Sequence, residues 1–116
     1  LKASELPKGT VARDHVILVD TSASQVGEHR THGFAVLRSM LQSLPENDRV
    51  LLFAADIQAE ALAAEFSSPR SDAVQSSLES LQSRVPLGAT NLRAVLETAL
   101  KAAPKGRPTD ITYIGD

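Results

Sequence analysis

Five oxygen-bearing side chains in this sequence have the types and the spacing to hold a hard divalent cation. Asp20-Thr21-Ser22-Ala23-Ser24 fits the pattern Asp-x-Ser-x-Ser, which offers Asp20, Ser22 and Ser24 as donors. Thr90 lies in Gly88-Ala89-Thr90-Asn91, and Asp116 is the last residue of the chain. Hydroxyls and carboxylates without sulfur suit Mg²⁺, with Mn²⁺ or Ca²⁺ as alternatives. Magnesium takes octahedral oxygen ligation at about 2.0–2.1 Å and readily keeps waters. A cage of protein and water oxygens can therefore leave one position open to an outside ligand.

Each position also has a plainer use. Ser22 and Gln25 fit a Ser-x-x-Gln capping box. Thr90 alone reads as a turn or cap residue before Asn91, and Asp116 alone as a solvated chain end. The metal reading stands only if the fold brings these residues together.

The elements that would do so are legible. Val16-Ile17-Leu18-Val19 is a short apolar run rich in β-branched residues, the mark of a strand buried on both faces. Val50-Leu51-Leu52-Phe53 is a second. Phe34, Leu37, Leu41 and Leu44 recur at helical spacing, and Pro45 ends that helix. Val74, Leu78 and Leu81 mark another helix, and Leu92, Val95, Leu96, Ala99, Leu100 and Ala103 a third. Asp110 to Gly115 alternates as a last strand. Gln58 to Phe66 is helical by propensity, but its place between a strand and the Ser67-Ser68-Pro69 break makes it a hairpin partner, and we assign it as a strand.

This order predicts an α/β fold, a Rossmann-like three-layer sheet that is mostly parallel with one antiparallel edge strand. Parallel strands put their carboxyl ends on one edge, where ligands gather at the point of reversed strand order. Neighbouring first and last strands would carry Asp20 and Asp116 to that edge together.

Composition removes several classes. The 116 residues carry a net charge of −2 and no basic stripe, which argues against a nucleic-acid binder. No apolar run approaches the roughly 20 residues of a membrane-spanning helix, so direct membrane insertion is not expected. Without cysteine there is no thiolate chemistry, while the redox compartment stays undecided. Residues 1–13, with Pro7, Lys8 and Gly9, read as a linker or lead-in, and 14–116 as the domain.

With these residues in view, the chain resembles the von Willebrand factor A family and its metal-ion-dependent adhesion site. The resemblance rests on Asp20, Ser22 and Ser24 at a strand end, Thr90 leading a helix, and Asp116 at the end of a later strand. Ala23 and Ala89 stand where the family has glycines. The resemblance implies that the two serines and the threonine ligate the metal directly, while the aspartates act through bound water. Neutral direct ligands leave the cation's charge uncompensated, so it attracts a carboxylate. The implied function is an adhesion or interaction module whose sixth ligand is a Glu or Asp of a partner protein, with no catalysis. The family's domain is longer, so 14–116 would be its N-terminal two-thirds, missing the last strands and helices. The final strand would then be an uncovered edge, and self-association by strand pairing or swapping is expected. Extracellular or cell-envelope placement is favoured over cytoplasmic.

Two other classes remain in play: a phosphotransfer enzyme with Asp20 as acceptor, and a metal-free scaffold of the same fold. Ser22 replaces the second carboxylate such an enzyme would use, and no nucleotide-binding or serine-hydrolase motif occurs. His29-x-x-His32 lacks a third ligand at zinc spacing and reads as a solvated pair. Lys105-Gly106-Arg107 is too short for a nucleic-acid patch. Asp14-His15 is expected to be a solvated strand start, and Glu60 and Glu65, five apart on a strand, to face opposite ways.

Overall fold

The computed structural model describes residues 12–21, 28–55, 59–83, 91–104 and 108–115. Four strands form one sheet in the order β3-β2-β1-β4, where β1 is Asp14–Asp20, β2 Arg49–Ala55, β3 Ala59–Ala61 and β4 Thr109–Ile114. β1 pairs in parallel with both β2 and β4, and β3 runs antiparallel to β2 at the edge. The expected mixed α/β sheet is the observed one.

β1 is central, which is why its apolar run is continuous: all seven residues are buried. Alternation splits them between two cores. Ile17 and Val19 face a cluster with Leu37 and Leu41 of α1 (Glu28–Ser43) and Val74, Leu78 and Leu81 of α2 (Asp72–Ser83). Val16 and Leu18 face Val95 and Ala99 of α3 (Leu92–Ala102) on the other side. The result is three layers, helix, sheet and helix. α1 stops before Pro45, where the Arg70 guanidinium donates to the Leu41 and Leu44 carbonyls at 2.9 and 3.0 Å. Those carbonyls are among the ones a helix end leaves without intrahelical donors. Of the residues that marked α3 in the sequence, Val95 and Ala99 are buried, while Leu92, Leu96 and Leu100 face outward.

Two expectations need correction. Of the strand assigned to Gln58–Phe66, Gln58 lies outside the described residues, and among the described ones only Ala59–Ala61 is strand, followed by a bend over 62–65 and a single bridge from Ser67 back to Val50. Between the Ala61–Phe53 pair and that bridge, β2 advances three residues while its partner advances six. Ala and Glu offer little to a pleated surface, so this stretch buckles away from the ladder. Strand alternation therefore says nothing about how Glu65 is aimed relative to Glu60.

The second correction concerns Asp14 and His15, which are not solvated: they are 0% and 5% exposed. A central strand is flanked from its first residue, with Asp14 opposite Arg49 on one side and Thr109 on the other. Burial of the charge is made tolerable by pairing. Arg49 donates to both Asp14 oxygens at 2.9 and 2.7 Å, a bidentate fork. His15 Nε2 lies 2.8 Å from Asp48 Oδ2, and the Arg13 amide donates to Asp48 Oδ1 at 3.0 Å. The Arg13 side chain forks onto Asp110 of β4 at 3.0 and 2.8 Å. This hydrogen bond holds the Asp110 carboxyl below its ordinary range, against an opposing push from partial burial. The amino edge of the sheet is thus laced by charge across β1, β2 and β4.

Candidate functional site

The opposite, carboxyl edge holds the candidate site. Asp20 is the last residue of β1, paired with Ala55 of β2 and only 7% exposed. The next residue is fixed as well: the Thr21 amide donates to the Ala55 carbonyl at 2.8 Å, with its hydroxyl 3.3 Å from the same oxygen. The chain is therefore pinned to β2 through Thr21.

Alternation puts Asp20 on the same face as Val16 and Leu18, the side covered by α3. Ile111 and Tyr113 of β4 pack into that same cluster. β4 is offset so that Leu18 pairs with Tyr113 and Val19 with Ile114. That register carries Gly115 alongside Asp20. Tyr113 Oη donates to Asp20 Oδ2 at 2.5 Å, the short range of a hydroxyl on a charged acceptor. A Cβ on Gly115 would stand 2.8 Å from Asp20 Cβ, 2.9 Å from Tyr113 Cε2 and 3.0 Å from Asp20 Oδ2. Only glycine lets β4 close so tightly on this carboxylate.

α3 begins on this side of the sheet too. Six residues separate its last residue, Ala102, from Thr109 at the start of β4. So short a link joins the helix end to the amino edge, and the helix runs back antiparallel to the strands it covers. Its N-cap is Asn91, whose side chain accepts the Ala94 amide at 3.1 Å.

Of the five sequence candidates, the structure describes Asp20. Ser22, Ser24, Thr90 and Asp116 lie outside the described residues, next in sequence to Thr21, Asn91 and Gly115 or within three residues of them. His32 is exposed on α1. Among the described residues no three His, Cys, Asp or Glu side chains gather as a metal site. A hydroxyl-rich site with two carboxylates is of a different kind, and the donor at hand fits it: a nearly buried carboxylate at a strand end, oriented by a tyrosine hydroxyl in a cradle that a Cβ on Gly115 would fill. Sequence reasoning passed over Tyr113 and Gly115. Their role follows from the β1–β4 offset, which no local pattern encodes.

An open, mostly parallel sheet with helices on both faces and an acidic group at the carboxyl end of its central strand defines an α/β domain of the class whose ligand sites, where present, lie at that edge. Residues 14–116 match the von Willebrand factor type A domain, and the chain belongs to that family. No curated protein sequence matches it. Among solved structures it is similar to the vWF domain of the type V pili tip protein Mfa5 from Porphyromonas gingivalis, at 21% identity and a TM-score of 0.64 over 88% of this chain and 36% of that one. The PilB minor pilin of Streptococcus sanguinis is similar at 16% identity and a TM-score of 0.63, over 87% and 29%. An uncharacterized membrane spanning protein of Vibrio fischeri gives 19% and 0.60, over 78% and 48%. At these identities the likeness concerns the fold. The chain spans less than half the length of each of these structures.

Proposed function

We propose that this domain is a metal-dependent protein-binding module of the adhesion type. Asp20, Ser22, Ser24, Thr90 and Asp116 would hold Mg²⁺, or Mn²⁺ or Ca²⁺ in its place. The observation that carries the reading is Asp20: a carboxylate only 7% exposed at the carboxyl end of the central strand, on the face that α3 covers. The cation, when bound, supplies positive charge for an acidic side chain of a partner protein. Asp20 and Asp116 orient waters and hydroxyls around it, which is a binding task and not turnover. The pilus tip and minor pilin proteins of similar fold support extracellular or cell-envelope placement.

Thermal melting with Mg²⁺, Mn²⁺ or Ca²⁺ tests this. A cation bound only by the native state raises stability by about 2.7 kcal/mol at a hundredfold excess over its Kd. The unaltered chain is expected to show that rise, and Asp20→Ala and Thr90→Ala to lose it. A melting curve indifferent to Mg²⁺, Mn²⁺ and Ca²⁺ alike rejects the metal site and leaves a scaffold. Phosphorylation of Asp20 by a small phosphodonor would favour the enzyme class instead.

β4 is the outermost strand on its side of the sheet among the described residues. Its outer edge is suited to pairing with a second copy. Sedimentation is expected to show mass rising with concentration; a constant monomer mass would rule out this mode of association.

A further inference from the structure

We infer that Tyr113 is a positioning residue of the candidate metal site: its hydroxyl sets the direction of the Asp20 carboxylate, and its ring reports on the cation. The inference rests on the metal-binding reading above and adds a residue to it.

An aspartate fixed at its backbone still has a broad rotation at its carboxylate. A ligand that acts through an ordered water needs that rotation stopped. Tyr113 supplies the stop from a separate strand. Its ring is partly buried against the core cluster beneath α3 that includes Leu18, Val95 and Ala99. From there the hydroxyl reaches Asp20 Oδ2 at 2.5 Å. The donor is neutral, so it orients the carboxylate without cancelling its charge, as a lysine or arginine in its place would. The absence of a side chain on Gly115 gives the ring edge and the carboxylate room to meet. Asp20 at the end of β1, Tyr113 on β4 and Gly115 just past that strand therefore serve one contact. A purely structural tyrosine would only need its ring in the core, where phenylalanine serves as well.

The chain contains one tyrosine and no tryptophan. Tyrosine emission from the whole protein consequently comes from the group that touches Asp20. A cation that draws on the Asp20 carboxylate alters the hydrogen bond to Tyr113 and with it that emission.

The test is Mg²⁺ binding by calorimetry and by tyrosine emission in the unaltered chain, beside calorimetry and thermal melting of Tyr113→Phe. We expect emission to change saturably with the calorimetric midpoint. In Tyr113→Phe, affinity should fall about 10- to 100-fold, the usual effect of losing a group that orients a ligand. Its cation-free melting point should stay near that of the unaltered chain. If the unaltered chain binds Mg²⁺ but Tyr113→Phe binds it equally well, or emission does not respond, the positioning role is overturned and the metal site stands. If calorimetry finds no binding to the unaltered chain, the metal site itself fails and the role of Tyr113 fails with it.

Discussion

Replacing Arg49 with alanine is expected to destabilise the domain by about 3 kcal/mol. Asp14 has no solvent exposure, and the Arg49 fork meets both of its oxygens. Removing one member of such a pair takes away the charge that offsets the other's burial, typically at about 3–5 kcal/mol. The low end applies because the Arg49 side chain is itself 42% exposed. Its guanidinium also lies over the Phe66 ring at 5.6 Å, so packing is lost with the charge. In a domain of this size that corresponds to a melting point lower by on the order of 10 °C. The Arg13–Asp110 pair makes the contrast. It has the same fork geometry, but its side chains are 46% and 47% exposed, and such surface pairs contribute about 0–1 kcal/mol. Urea or thermal unfolding of Arg49→Ala and Arg13→Ala compares the two. Equal losses would contradict the role given to burial.

Gly115→Ala should both loosen the fold and damage the candidate site. The added methyl would stand 2.8 Å from Asp20 Cβ, an atom attached to the backbone of a strand paired on both sides. Asp20 cannot retreat, so the end of β4 must move outward. Overpacking of this kind costs about 1–3 kcal/mol. The same movement separates Tyr113 from Asp20. Melting should fall by several degrees, and the Mg²⁺ midpoint should weaken by about tenfold or more. An alanine variant that melts and binds like the original would mean that the strands do not approach so closely.

Much of the architecture can be read from residue patterns, and the reason is local. Val16 to Val19 and Val50 to Phe53 are buried on both faces, so their apolar runs are unbroken. Leu37 and Leu41, and Val74, Leu78 and Leu81, keep helical spacing because each helix buries one side. Leu92, Leu96 and Leu100 show the limit: the spacing identifies the helix but not which of its faces meets the sheet. The burial of Asp14 and His15 depends on strands that begin 35 and 95 residues later in the chain, and nothing near them in sequence announces it. Tyr113 is hidden for the same reason. Asp20 was legible because a strand end followed by hydroxyls is a local pattern, whereas its partner is fixed by a register between distant strands.

Because β1 is hydrogen-bonded in parallel to a strand on each side, a pull on Asp20 along the strand would not peel it away bond by bond. The ladders to β2 and β4 would be loaded in shear at the same time. A partner tugging on this edge would therefore be resisted by the least yielding line through the domain, and the outlying β3 would carry little of the tension.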